Sequence, residues 1–324
     1  MKFVYVLISS ENDYYAEETL VSMFTLRKHN PGAFITLVSD TPTLDSLIGN
    51  RSRIKEYVDE CIEKNSPAAF TPVQRSRFLK TSLRRIVEGD FLYLDNDTII
   101  SGCLGGIEDV GGEVAAVYNR HKDSWNREGL HFQLRDYYEA AGYIPEIDGK
   151  IRDYFNGGII FCKDTRNAHR LYEAWHDMWM KSSTGYGFHK DQPDLWRANA
   201  MCGNIIEPLD GTYNCQLIYP HHCMEYMFNA RILHYHSSAA FACHIAFKQP
   251  KVMEHIRNNG IDGTIIEYID NLRSDYLKGM SILMDHEKEW YNSPFAIMSR
   301  KLSRCLPGLN KMAKAVYRIF GYEI

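Results

Sequence analysis

Phe3-Val4-Tyr5-Val6-Leu7-Ile8 is an unbroken run of β-branched, aromatic and aliphatic residues, and it decides the fold class. A strand solvated on one face alternates apolar with polar residues. A run with no polar member suits a strand buried on both faces, as in a parallel sheet covered by helices. Ser9 to Asp13 stop the run with polar side chains. From Tyr14 to His29 the apolar positions Leu20, Met23, Phe24 and Leu26 recur at helical spacing until Asn30-Pro31-Gly32 ends the pattern. The chain therefore starts with a β-α unit.

The alternation continues outward from this unit. Ala33 to Val38 reads as a second strand, Thr43 to Ile48 as a short helix and Ile54 to Val58 as a third strand. Thr71-Pro72 opens a helix expected to reach about Val87, carrying Arg75, Arg77, Lys80, Arg84 and Arg85, and Glu88-Gly89 ends it. Phe91 to Leu94 is the next strand, stopped by Asp95-Asn96-Asp97. Val114 to Val117 and Gly158 to Cys162 are further strands, Ala168 to Met180 is a helix, and Arg231 to His236 is a late strand ending in histidines. This order predicts an α/β fold, a twisted, mostly parallel sheet flanked by helices, with a C-terminal helical extension.

Composition narrows the classes. The 324 residues are 45% hydrophobic and 24% charged, enough to bury a substantial core. Thirty-seven Lys and Arg against 41 Asp and Glu leave a net charge of −4, which excludes a chain-wide basic field for nucleic acid. The eight cysteines include no CxxC, so reduced thiols are expected. Cys202, Cys215, His221, His222 and Cys223 are zinc ligands by type, but their spacing matches no standard knuckle or finger. From Phe295 to Ile324 six basic residues face one acid, +5, which leaves −9 for the rest of the chain. Met298, Leu302, Leu306, Leu309, Met312, Val316 and Phe320, interrupted at Pro307-Gly308, form an apolar stripe beside that cationic face, a pattern suited to an anionic membrane surface or to packing on the main domain. No apolar run approaches the ~20 residues a spanning helix needs. With Glu11-Asn12-Asp13 directly after the first apolar run, no secretory leader is expected. A cytoplasmic chain, peripheral on the inner membrane face through its tail, is the expected location.

In open α/β sheets ligands collect beyond the carboxyl ends of strands. Asp95-Asn96-Asp97 sits at such an end, between the apolar runs Leu92-Tyr93-Leu94 and Thr98-Ile99-Ile100. Two carboxylates one residue apart on a turn can face one hard cation and leave positions open for phosphate oxygens. The plainer alternative is a strand-ending turn, which Asp and Asn also favour. Arg77 and Lys80 lie a helical turn apart and share a face. His234 and His236 share a strand face.

Tyr93-Leu94-Asp95-Asn96-Asp97-Thr98, Phe155-Asn156-Gly157-Gly158, Lys190-Asp191-Gln192-Pro193 and His234-Tyr235, in this order, resemble the nucleotide-sugar glycosyltransferases of the GT-A fold. The resemblance is to family 8, of the glycogenin and lipooligosaccharide galactosyltransferase type, and covers roughly residues 1 to 240. It implies a retaining transfer of a hexose from a UDP-sugar donor to a glycan or lipid-linked acceptor. It also implies a divalent cation, manganese first and magnesium second, held by Asp95, Asp97 and His234, with His236 a competitor for the third place. Leu7, Ile8 and Ser9 would edge the nucleotide pocket, and the Tyr15 ring, with Tyr14 its competitor, would stack on the base. Arg77 and Lys80 would contact phosphate or sugar, and Asn96, Asn156 and Gly157 would approach the donor. Asp191 and Gln192 would be the catalytic pair, the acid holding sugar hydroxyls and the amide lying close to the reacting carbon. Asp191 alternatively caps a helix. Asn119-Arg120-His121-Lys122-Asp123-Ser124-Trp125 is the expected acceptor loop. The family's glycine-lysine pair after the late histidine has no counterpart in Ser237-Ser238-Ala239-Ala240, and Lys248 is distant in sequence.

The implied division is a catalytic domain over 1–245, a helical segment packed on it over 246–293, and a basic amphipathic tail over 294–324. Two rival readings are a sugar nucleotidyltransferase and a non-catalytic glycan-binding relative. The first wants a Gly-rich phosphate loop, which Ser9 to Asp13 lack. The second has no use for the full set of acids, amides and histidine.

Overall fold

In the computed structural model the first apolar run is a strand, β1 (Lys2–Leu7), with Val4, Tyr5 and Leu7 wholly buried. The structure describes residues 1–125, 151–218, 220–237, 245–278, 290 and 293–298. The chain forms two compact units, Met1–Gly279 and Met280–Ile324. Only 290 and 293–298 of the second are described. The basic tail beyond 298, Ser238-Ala239-Ala240 and the stretch 126–150 lie outside the described residues.

After β1 come α1 (Tyr15–His29), β2 (Phe34–Ser39), α2 (Thr41–Ser46), a 3-10 helix over Gly49–Tyr57 and β3 (Glu60–Glu63). Next are α3 (Pro72–Thr81), α4 (Leu83–Ile86), β4 (Phe91–Leu94), β5 (Thr98–Ile100) and β6 (Val114–Tyr118). β7 (Ser124–Trp125) pairs with β8 (Ile151–Arg152), and β9 (Phe155–Cys162), α5 (Arg166–Gly185), α6 (Gln192–Met201) and β10 (Ile206–Pro208) follow. The described chain ends through β11 (Cys215–Gln216), α7 (Pro220–Met227), β12 (Ile232–His234), α8 (Pro250–Asn259) and α9 (Gly263–Lys278).

Among the described residues the main sheet has seven strands in the order β10-β6-β9-β4-β1-β2-β3. β1 pairs in parallel with β2 and β4, and β9 runs antiparallel to β4 and β6. A second sheet, β11-β12-β5, brings the late histidine strand antiparallel to the segment after the acids. Because β9 is reversed, its start meets the carboxyl end of β4. Leu94 pairs with Ile159, and the Asp95 N–H donates to the Gly158 carbonyl at 2.7 Å.

Alternate residues of β1 enter two cores. Val4, Val6 and Ile8 pack in one cluster with Leu79, Leu83 and Trp175 from α3, α4 and α5. Each such buried aliphatic side chain contributes about 1.5–3 kcal/mol. On the other face Tyr5 Oη lies 3.0 Å from Ser22 Oγ, and Ser22 Oγ 2.7 Å from Thr98 Oγ1, a buried hydroxyl chain that ties α1 to β5. Trp175 and Trp179 of α5 donate their indole N–H groups to the carbonyls of Asp191 (2.8 Å) and His189 (3.1 Å), so α5 sets where α6 begins. α8 is tied to α1 by Arg257, whose Nε donates to Glu17 Oε1 at 2.8 Å while Nη1 donates to the Glu11 carbonyl at 2.9 Å.

Three expectations are corrected. Ile54 to Val58 is not a strand: Ile54, like Arg51, is a buried side chain of a 3-10 helix, and the strand is β3, four residues that alternate half-buried with exposed. An edge strand needs only one apolar face and tolerates acids, so an apolar run is not its signature. The single helix expected to Val87 breaks at Ser82, where the hydroxyls of Thr81 and Ser82 share His176 Nδ1 at 2.8 and 3.2 Å. Of its outer arginines Arg85 is largely exposed, whereas Arg84 is buried over the Phe91 ring beside Asp164. The strand expected from Gly158 begins at Phe155, so Asn156 and Gly157 are strand residues.

Cys215 and Cys223 are buried free thiols, and the Cys215 Sγ points to the Cys223 carbonyl at 3.7 Å. Among the described residues no helix is long and apolar enough to cross a membrane.

Candidate active site

A cleft of about 310 Å³ opens where β1 and β4 end. Val6, Ile8, Pro72 and Val73 give it an apolar wall. Tyr15 and Glu18 of α1 and Ser76 and Arg77 of α3 close two sides. Asp95, Asn96 and Asp97 form the floor with His234 and His236.

The backbone holds the acids in place. The Asp95 carbonyl accepts from Thr98 Oγ1 at 2.9 Å, and the Asp97 carbonyl accepts from the Tyr235 N–H at 3.2 Å. Asp97 Oδ1 lies 3.1 Å from His234 Nε2, and its Oδ2 accepts from the Ser237 N–H at 2.8 Å. Burial alone would raise the Asp97 carboxyl, but His234, His236 and the Ser237 N–H hold it well below the usual range. Burial likewise works against charge on His234, and Asp97 and Asp95 more than offset it, so its pKa is raised. Asp95 Oδ2 is 3.9 Å from the same Nε2, while its Oδ1 accepts from Tyr93 Oη at 2.5 Å and faces Lys80 Nζ at 3.5 Å.

His236 lies beyond the end of β12 with φ of 51°, and its ring stacks on His234 at 3.8 Å. Burial and His234 push it well below the usual imidazole value, so it is neutral, and its buried Nε2 has no hydrogen-bond partner. Asp97, His234 and His236 place ligand atoms within 4.8 Å of one another, the one such group among the described residues. Lys248, distant in sequence, returns to this place, its Nζ donating to the His236 carbonyl at 2.8 Å.

Asn214 orients His234. The Asn214 Nδ2 donates to Asn156 Oδ1 at 2.9 Å, which leaves its Oδ1 to accept from His234 Nδ1 at 3.1 Å. The ring is thereby turned so that Nε2 faces the carboxylates. Asn156 Oδ1 also accepts from the Gly158 N–H at 2.9 Å. Gly158 is required by crowding: a Cβ there would lie 2.5 Å from His234 Cε1 and 2.7 Å from Asp95 Oδ2. Removal of Asn214, as in Asn214→Ala, is expected to weaken manganese binding 10- to 100-fold, the usual effect of losing such a support, alongside a fall in melting temperature from the two buried hydrogen bonds given up. Titration of the chain with manganese measures this, and unchanged affinity would count against the orienting role.

A buried charge cluster lies alongside. Asp191 sits at the position before α6 but makes no side-chain cap. Its carboxylate goes instead to Arg77 Nε at 3.1 Å and Lys80 Nζ at 3.2 Å. Burial pushes Asp191 up, and Lys80 and Arg77 bring it below its ordinary value. Gln192 Oε1 accepts from the Gly157 N–H at 3.3 Å, which fastens α6 to β9.

Of the residues singled out in the sequence, Ile8, Tyr15, Arg77, Asp95, Asn96, Asp97, His234 and its competitor His236 line the cleft. Lys80, Asn156, Gly157, Asp191 and Gln192 join it through the contacts above. Tyr15 is the tyrosine at the cleft; Tyr14 turns away to Glu254 and the Arg257 guanidinium. Leu7 and Ser9 do not line it: the Leu7 side chain enters the core, and the Ser9 hydroxyl donates to Asp13 and accepts from Arg51. In the expected acceptor loop His121 stacks on Tyr226 and burial lowers it to about 4. Tyr93 was recoverable from the strand period, two residues before Asp95 on the same face. Asn214, twenty residues from His234, had no such signal.

No protein-family model matches the chain, and no curated protein matches it. Solved structures to which it is similar include mouse xyloside xylosyltransferase 1 in its apo form, at 14% identity over 72% of this chain and 97% of that one, with a TM-score of 0.47. Another is the galactosyltransferase LgtC in complex with donor and acceptor sugar analogues, at 12% identity over 83% and 100% of the two chains, with a TM-score of 0.49. A third is the glycosyltransferase GlyE of Streptococcus pneumoniae, at 17% identity over 86% of this chain and 63% of that one, with a TM-score of 0.47.

Proposed function

We propose that the chain is a divalent-metal-dependent, retaining glycosyltransferase that transfers a hexose from a UDP-sugar to a glycan or lipid-linked acceptor. One observation carries the reading: carboxylates, imidazoles and the Arg77 guanidinium converge on a single cleft at the carboxyl ends of β1 and β4, with buried Lys80 reaching Asp95 and Asp191 beside it.

The donor set fits a divalent cation of borderline hardness. Carboxylate oxygens suit manganese or magnesium, imidazole nitrogen favours manganese, and the partnerless Nε2 of neutral His236 is a donor atom awaiting an electrophile. Asp95, Asp97 and His234 would hold the ion, with His236 beside them. When bound, the ion neutralises charge developing on the departing diphosphate. Asn214 and Asn156 keep the His234 ring from rotating. Arg77, partly exposed, presents guanidinium N–H groups to phosphate or sugar oxygens. Asn156 has its carbonyl oxygen committed to two donors, so its amide nitrogen is the group left for a sugar hydroxyl. Asp191 stays ionised between two cations, which makes it an acceptor for sugar hydroxyls and a weak base. That favours attack by the acceptor on the face the diphosphate leaves, over a covalent sugar intermediate on Asp191.

The test is a panel of nucleotide sugars incubated with manganese, with nucleoside diphosphate release as the readout. Release from at least one donor is expected, abolished by chelation and restored by excess manganese. Release from none, or release indifferent to chelator, would overturn the reading.

A further inference from the structure

Glu18 has no task in the scheme above. It is 6% exposed, it lines the cleft, and its Oε2 has no hydrogen-bond partner. A buried carboxyl with an unmet oxygen is costly unless a donor arrives from outside the chain.

Its position narrows what that donor is. Glu18 is one helical turn after Tyr15 and shares its face of α1. On its other side the Ser237 hydroxyl hydrogen-bonds the Glu18 carboxyl, and the Ser237 N–H donates to Asp97 at 2.8 Å. Glu18 therefore lies between the ring assigned to the base and the carboxylate assigned to the diphosphate end. A nucleoside diphosphate carries base, ribose and diphosphate in that order, and the ribose is the uncharged part rich in hydroxyl donors. Burial, with Asp97 adding to it, pushes the Glu18 carboxyl well above its ordinary value. Hydroxyl donors would bring it back down, and a phosphate would raise it further.

We propose, resting on the nucleotide-sugar reading above, that Glu18 is a specificity residue that accepts a hydrogen bond from the 2′- or 3′-hydroxyl of the donor's ribose. An acidic side chain that takes a ribose hydroxyl is a general solution in nucleotide sites, because the acceptor rejects a sugar lacking the donor.

Calorimetric titration of the full chain with UDP, 2′-deoxy-UDP and 3′-deoxy-UDP, in the presence of manganese, tests it. The wild type is expected to bind one deoxy compound roughly tenfold to hundredfold more weakly than UDP, as for a buried acceptor left without its donor. In Glu18→Leu the gap closes, and in Glu18→Gln, which keeps one acceptor oxygen, part of it remains. Equal wild-type affinity for all three nucleotides overturns the role of Glu18 without recourse to any variant. An unchanged gap in Glu18→Leu does the same, and either result leaves nucleotide binding standing. If the wild type binds none of the three, the nucleotide-sugar reading falls and takes this inference with it.

Discussion

Asp97→Ala is expected to lower manganese-dependent release of nucleoside diphosphate roughly a thousandfold, about 4 kcal/mol of barrier, the scale on which a charge-stabilising group in a closed site acts. The expectation comes from what surrounds this carboxylate. Its two oxygens face different partners, His234 Nε2 and the Ser237 N–H, so the side chain has one orientation. It is held ionised against its burial, which leaves a negative charge beside the imidazoles of the cleft. Asp97→Asn keeps the volume and the hydrogen-bonding capacity and removes the charge. A loss of similar size in Asn and Ala variants assigns the effect to charge. A rate within tenfold of wild type for either would sink the metal-dependent mechanism. The fold is expected to persist, because His234 can shed its proton and Ser237 can turn to water.

The legibility of this chain follows from where each signal is stored. β1 and β4 were legible because both faces of each are buried, so every residue carries the signal. β3 was not: only Cys61 and Ile62 are apolar in it, and its Glu60 is accommodated by Lys2 at 2.8 Å rather than by a core. The acids and the late histidine could be singled out by residue type at strand ends, and the structure brings them within a few ångströms of one another. What supports them was illegible. Asn214 acts on His234 and Asn156 only because a 3-10 turn brings it between β9 and β12. Glu18 looks like its neighbour Glu17 in the first turn of α1, and both are buried; what separates them is that Glu17 pairs with Arg51 and Arg257 while Glu18 Oε2 has no partner. Contacts that depend on the crossing of distant elements leave no period or spacing in the chain.

The second large effect is expected at Asp191, and it is one of stability as well as rate. The Asp191 carboxylate is 3.1 Å from Arg77 Nε and 3.2 Å from Lys80 Nζ, and both Asp191 and Lys80 are almost fully buried. In Asp191→Ala two cations face each other across the vacated space, with Asp95 at 3.5 Å the remaining partner of Lys80. Deleting one member of a buried ion cluster costs about 3–5 kcal/mol, mostly through the charge left behind, so a clear fall in melting temperature is expected. Lys80 has an easier remedy than Arg77, since an ammonium can lose its proton and a guanidinium cannot. Lys80→Met placed on top of Asp191→Ala is therefore expected to return part of the lost stability while release stays at background. Lys80→Met alone completes the cycle, because Lys80 is itself expected to contact phosphate or sugar: release by that single variant, with none from the equally stable double variant, assigns the loss to Asp191 rather than to Lys80. Thermal melts and release assays on the single and double variants decide it, and an Asp191→Ala chain that melts and turns over like wild type would rule out both roles.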